Sequence, residues 1–293
     1  MAAALLTTIA DTRAFVAAAR KSGNVIGCVP TMGALHAGHG ALFDRARVEC
    51  GVVIATVFVN PLQFDRAEDY ERYTRSLHTD VAFCTAHSVD AVFAPTNSEM
   101  YPEPSRTFVE VPGLATHLCG AFRPGHFRGV ATIVAKLFNL VQPDKAYFGE
   151  KDAQQLAIIG RIVRDLNFPI EIVPVETVRE EDGLAYSSRN NRLSPEERRA
   201  APVLYRALLR ACDTITAGER QAANVKVAAR EVLAAEPSVR VEYLDVVDPH
   251  TMQPIEQIRE DVRIAIAAWL GATRLIDNVL CRTYGIPYTQ IGP

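Results

Sequence analysis

The sequence has no Cys-x-x-Cys pair, no long apolar run and no basic surplus, and each absence removes a class of protein. Its six cysteines, Cys28, Cys50, Cys84, Cys119, Cys212 and Cys281, are scattered. Such spacing suits neither a disulfide framework nor a zinc site, and reduced thiols in a cytoplasmic protein are the simplest expectation. The opening Met1–Ala10 is apolar but too short to span a bilayer and has no basic flank before it, and no later stretch is long and apolar enough. A formal net charge of −3 argues against a chain that coats nucleic acid, as does the lack of a basic stretch interleaved with aromatics. Two common phosphate-binding signatures are missing too. Neither Gly-x-x-x-x-Gly-Lys-Ser/Thr nor a Gly-x-Gly-x-x-Gly after a strand occurs, which excludes an ordinary P-loop ATPase and a fingerprinted dehydrogenase.

What is present is an alternation of short apolar runs and helical patterns. With 293 residues, 48% hydrophobic and 22% charged, the chain has room for two globular domains. Strands are expected at Val25–Val29, Val52–Val59, Ala91–Ala94, Lys145–Phe148 and Ile170–Val175, and helices at Thr12–Lys21, His39–Cys50, Asp69–His87, Gly129–Val141 and Asp152–Leu166. Nearly all-apolar strands between helices imply an α/β fold, a Rossmann-like doubly wound parallel sheet covered on both faces. After the polar loop Val178–Arg189 the pattern changes. Ser194-Pro195-Glu196-Glu197 has capping-box spacing with proline at the first helical position. A helix-rich stretch follows, expected to kink at Pro202 and break at Gly218, and then strands at Val239–Val247, Val262–Ala268 and Leu275–Val279. The expectation is a catalytic domain over 1–178 and a smaller C-terminal α+β domain over 179–293.

Ligands of parallel sheets bind beyond the carboxyl ends of the strands, and the distinctive residues fall there. Pro30-Thr31-Met32-Gly33-Ala34-Leu35-His36-Ala37-Gly38-His39-Gly40 joins a strand to a helix. Open backbone N–H groups and the helix dipole favour an anion at such a start. His36 and His39 can be a cap and a packed ring, part of a metal site that lacks an obvious third ligand, or two donors to a polyphosphate; Gly33 and Gly38 favour the last by allowing close approach. The helix terminus lowers an imidazole pKa and a bound polyphosphate raises it. Asn60-Pro61-Leu62-Gln63-Phe64 follows the second strand and is either a proline-marked turn or a pair of amides for a small polar substrate. Gly149-Glu150-Lys151-Asp152 follows a later strand. Asp152 and Gln155 have capping-box spacing, but Lys151 at a helix N-terminus is electrostatically misplaced unless an anion joins it. Ser187-Ser188-Arg189-Asn190 could grip phosphate or be a solvated linker, and the basic, glycine-punctuated Gly120–Gly129 could wall a site or lie on the surface.

In their joint order these segments, with Arg123-Pro124-Gly125-His126-Phe127-Arg128-Gly129-Val130 and Ala268-Trp269-Leu270-Gly271, resemble the pantoate–β-alanine ligase family. That family lies in the nucleotidylyltransferase superfamily, which shares its fold with class I aminoacyl-tRNA synthetases, and the resemblance covers nearly the whole chain. It implies that pantoate carboxylate attacks the α-phosphorus of ATP, with Mg²⁺ assisting, to give pantoyl adenylate and pyrophosphate. The amine of β-alanine then displaces AMP. By resemblance Met32, Gly33, Ala34, Leu35, His36, Ala37, Gly38 and His39 lie along ATP, with His39 the proton donor and His36 and Lys151 catalytic on the phosphates. Gly149, Glu150, Lys151 and Asp152 contact the nucleotide, Val178 flanks adenine, and Tyr186, Ser187, Ser188 and Arg189 form a second phosphate clamp. Tyr186 departs from the leucine or methionine usual there. Gln63 and Gln155 hold pantoate, Gln63 also lying near β-alanine, Asn60 supports that pocket, and Asp80 is a candidate magnesium residue. A homodimer is implied, with no nucleic-acid or membrane partner.

Two other readings compete. Another nucleotidylyltransferase, acting on a phosphorylated acceptor, would need an extra basic cluster where this chain has Gln63 and Gln155. A non-catalytic nucleotide-binding regulator is disfavoured by the completeness of both phosphate segments.

Overall fold

The computed structural model describes residues 2–65 and 67–283. The chain divides into two compact units, Met1–Arg179 with Tyr186–Ser188, and Glu180–Ala185 with Arg189–Pro293.

The first unit is built on β1 (Ala4–Leu6), β2 (Ile26–Thr31), β3 (Val52–Val57), β4 (Ala91–Phe93), β5 (Lys145–Gly149) and β6 (Glu171–Val175). They form a six-stranded sheet in the order β1-β4-β3-β2-β5-β6, and every pairing is parallel. Its helices are α1 (Ile9–Lys21), α2 (Ala37–Glu49), α3 (Ala67–Glu71), α4 (Leu77–Ala86), α5 (Asn97–Met100), α6 (Cys119–Phe122), α7 (His126–Val141) and α8 (Ala153–Asp165). Side chains alternate across each strand. Ile26, Cys28 and Ile54 therefore join one apolar layer with Val16, Val134, Phe138 and Ile159, while Val29, Val53 and Ala55 join another with Phe43, Ala46 and Cys84. Helices cover both faces, which is the doubly wound α/β class expected. Strand order reverses beside β2, whose neighbours are β3 on one side and β5 on the other. The loops leaving β2 and β5 thus flank a topological switch point, where such sheets bind ligands.

Three local features differ from expectation. β1 pairs with β4 through Ala4↔Ala91 to Leu6↔Phe93, where only a leading segment was expected. The expected helix over Asp69–His87 is two helices, because the Arg75 guanidinium donates to the carbonyls of Tyr70, Glu71 and Tyr73 and closes the end of α3. Pro30 lies inside the central strand β2 although it cannot donate to the ladder; the Thr31 hydroxyl beside it donates to the Thr56 carbonyl at 2.7 Å.

The second unit packs α9 (Pro195–Ala200), α10 (Val203–Thr216) and α11 (Ala222–Leu233) with the antiparallel strands β7 (Val239–Val247), β8 (Val262–Leu270) and β9 (Thr273–Cys281). The capping box at Ser194 is present, with Glu197 accepting from the Ser194 N–H at 2.8 Å. Pro202 separates α9 from α10, and Gly218, at φ +109°, follows α10. Leu204, Leu208, Val225, Ile264 and Ile266 centre this unit's own core. Arg198 ties the loop 180–185 to α9 through Glu180 at 2.7 Å and Asp182. Among the described residues, no helix is long and apolar enough to cross a membrane.

Candidate active site

The loop from β2 into α2 is held in a conformation that few residues adopt unaided. Gly33 and Ala34 have φ of +80° and +52°, the left-handed region that disfavours any residue with a Cβ. The buried Asp80 of α4 accepts from the N–H of Ala34 at 3.2 Å and of Leu35 at 2.9 Å. A Cβ on Gly33 would come within 2.7 Å of Asp80 Oδ2, so glycine is needed for this approach as well as for the turn.

His36 then caps α2. The Gly38 N–H donates to His36 Nδ1 at 3.1 Å, and the His36 N–H donates to His39 Nδ1 at 3.3 Å. The N–H groups of His39 and Gly40 both go to the His36 carbonyl. The backbone donors expected to face an anion are therefore largely consumed within the turn. A backbone N–H can only donate, so each Nδ1 carries the lone pair, and the proton of each neutral ring sits on Nε2. The rings lie 4.2 Å apart between centroids. Burial is the main reason their pKa values fall, to about 4 for His36 and about 3 for His39. Lys151 lowers both further, His36 lowers that of His39, and Asp152 opposes these shifts. The arrangement offers two neutral Nε2–H donors and no imidazolium near neutral pH.

Those electrostatic influences bring the loop after β5 to the histidines. Glu150–Asp152 is a single 3-10 turn leading into α8. Asp152 occupies the N-cap but makes no side-chain cap bond, so the capping-box explanation of Asp152 and Gln155 does not hold. Its exposed carboxylate and the half-buried Lys151 flank the histidine pair from the other side of the switch point.

Asn60 and Gln63 follow β3. Asn60 is 1% exposed and fully engaged: its Oδ1 accepts from Leu62 N–H and from Tyr101 Oη at 2.8 Å, and its Nδ2 donates to Gln63 Oε1 and to the Gly129 carbonyl, each at 3.1 Å. Asn60 thus builds the turn. Gln63 Nε2 donates to Met32 Sδ, joining the turn to the β2 loop, and the Gln63 carbonyl accepts from His126 Nδ1 at 2.8 Å. Gln155 is half-buried on the first turn of α8; its neighbour Gln154 is buried, donating to the carbonyls of Leu114 and His117.

The Val178 carbonyl accepts from the Tyr186 N–H at 3.0 Å, and the Tyr186 ring lies 19° from parallel to that of His36, with centroids 6.3 Å apart. Tyr186, Ser187 and Ser188 belong to the first unit and Arg189 to the second. Sequence reasoning did not find the contacts that Tyr101, His126 and Gln154 make, or the hold of Asp80 on the loop. The first three lie outside the loops that follow strands, and no local pattern links Asp80 to residue 34.

The sequence model of the family described as pantoate-beta-alanine ligase matches residues 4–280. The pantothenate synthetase of Moorella thermoacetica is 55% identical over 276 residues, 94% of this chain and 98% of that protein. Among solved structures, a pantothenate synthetase from Thermus thermophilus is similar with a TM-score of 0.89 at 49% identity, covering 96% of this chain and 100% of that one. The pantoate-beta-alanine ligase of Francisella tularensis, complexed with β-γ ATP and β-alanine, has a TM-score of 0.79 at 32% identity and covers 95% and 98%.

Proposed function

The chain belongs to the pantoate–β-alanine ligase family, and from that premise we propose that it condenses D-pantoate with β-alanine at the switch point of its parallel sheet, by way of a pantoyl adenylate. Pantoate carboxylate attacks the α-phosphorus of ATP and pyrophosphate leaves; the β-alanine amine then attacks the acyl carbon and AMP leaves. The observation that carries the reading is the reciprocal His36–His39 cap. It presents two Nε2–H donors beside Lys151, a donor set suited to charge growing on departing pyrophosphate. Since both rings are neutral, His39 acts in this reading as a hydrogen-bond donor.

Met32–His39 and Gly149–Asp152 line the nucleotide in this proposal, Val178 flanks its base, and Tyr186, Ser187, Ser188 and Arg189 form the second phosphate clamp. Gln63 and Gln155 receive pantoate, with Asn60 shaping the turn that carries Gln63. Magnesium enters as Mg·ATP, carried on phosphate oxygens. Among the described residues no cluster of three His, Cys, Asp or Glu side chains could hold a resident metal, and both Asp80 oxygens already face N–H groups, so no protein ligand is assigned. A homodimeric, cytoplasmic enzyme completes the proposal.

Pyrophosphate–ATP exchange tests it. Exchange should require pantoate and Mg²⁺ but not β-alanine, and adding β-alanine should yield AMP and pantothenate. Release of ADP, or exchange indifferent to pantoate, would overturn it.

A further inference from the structure

Asp80 stands at the amino-terminal turn of α4, far in sequence from the β2–α2 loop, yet it is 3% exposed and lies beneath that loop. Each of its oxygens faces a backbone N–H, Oδ2 that of Ala34 and Oδ1 that of Leu35. A cation on those oxygens would meet the positive ends of the same N–H dipoles, and Mg²⁺ also demands near-octahedral oxygen ligands and room for its waters. The two contacts fall on the residues whose backbone is hardest to hold. Ala34 has a Cβ and a φ of +52°, and Gly33 is pressed against the same carboxylate. His36 begins the cap immediately afterwards.

On the ligase reading above, we propose that Asp80 is a positioning residue: its carboxylate clamps the left-handed turn at 33–35 and so sets where the His36 and His39 Nε2–H groups point. Without it the N–H groups of Ala34 and Leu35 lose their acceptor, Ala34 relaxes towards negative φ, and the histidine cap moves with it. Misplacement of catalytic donors by about 1 Å costs roughly 100-fold in rate.

The test compares Asp80→Ala, Asp80→Asn and Asp80→Ala/Ala34→Gly with wild type by steady-state kinetics, magnesium titration and ¹⁵N NMR of the histidine rings, all at least 10 °C below each variant's unfolding midpoint. Asp80→Ala should lose about 100-fold in kcat, and Asp80→Asn, which keeps one acceptor oxygen, should lose less. The half-saturating Mg²⁺ concentration should stay within about twofold, since no metal ligand is removed. The added glycine should recover about threefold or more, because it lifts the strain that the carboxylate opposes. The ring spectra of the free protein should shift from the single Nε2–H tautomer in Asp80→Ala. Wild-type kcat in Asp80→Ala, or recovery by excess Mg²⁺ or Mn²⁺, would overturn the proposal, as would unchanged histidine spectra. If Asp80→Ala fails to fold, Asp80→Asn decides by the same readouts. A wild-type protein inactive on pantoate would sink the ligase reading alone, since the ring spectra test the clamp without any substrate.

Discussion

A neutral imidazole donates from whichever nitrogen its surroundings leave protonated, and in this chain the backbone makes that choice twice. Gly38 and His36 N–H groups occupy the two Nδ1 atoms, so both donors are Nε2–H before any nucleotide arrives. His39→Ala should therefore fold normally and lose over ~100-fold in kcat, the usual effect of removing a transition-state donor; wild-type turnover in this variant would assign His39 to structure alone. The depressed pKa values also give stability a sign. Free histidine titrates near ~6.5, while the folded values are about 4 and about 3, so the unfolded chain binds protons first as pH falls. This contribution is fully present above pH ~6.5 and is lost as pH drops towards the folded values. Urea unfolding of wild type at pH 7.5, 6 and 5 should weaken accordingly, and His36→Gln and His39→Gln should each flatten the decline; an unaltered slope in both would refute the assignment. The histidine spacing was legible in the sequence because both residues lie on one turn. The acceptors were not, because they depend on a left-handed loop held by a residue more than forty positions away. Asp152 shows the reverse error, since correct capping-box spacing with Gln155 comes with no cap bond.

Helix α7 shows how an element can fix a site it does not enter. Gly129 lies against the 3-10 turn Pro61–Gln63, where an added Cβ would be 2.1 Å from the Leu62 carbonyl oxygen, and its own carbonyl accepts from Asn60. In an open helix Gly→Ala stabilises by about 1 kcal/mol, but overpacking against backbone costs about 1–3 kcal/mol or more. Gly129→Ala should lower the unfolding free energy by about 2 kcal/mol and raise the KM for pantoate through Gln63. Gly160→Ala on α8, with nothing within 4 Å of the new Cβ, should stabilise by about 0.5–1 kcal/mol. Denaturant titrations check both, and equal signs would refute the packing account. Long apolar strands and amphipathic helices were legible because period and burial coincide. β1 was not, since three residues of helix-forming type pair with a strand more than eighty positions later. The break between α3 and α4 was missed because the arginine that makes it leaves no glycine or proline to mark it.

At the scale of the whole molecule, each compact unit encloses its own apolar core, and the change of pattern after Arg189 follows from that. Parallel strands give way there without any shortage of apolar residues, because the second unit places them on two amphipathic helices and a three-stranded meander. The chain's single tryptophan, Trp269, lies on β8 of the second unit, its indole N–H donating to Glu242 at 2.8 Å. Fluorescence excited at the indole band consequently reports one unit, while far-ultraviolet circular dichroism reports both. Leu208 and Ile159 are each fully buried, in the second and first unit respectively, and truncation of such a side chain to alanine costs about 2–5 kcal/mol. Leu208→Ala should therefore move the Trp269 transition to lower urea and leave part of the dichroism change at its original midpoint. Ile159→Ala should lower the dichroism midpoint while Trp269 unfolds at the wild-type concentration. Coincident transitions by both probes in both variants would show that the cores unfold as one cooperative block, and the two-core account of stability would fall.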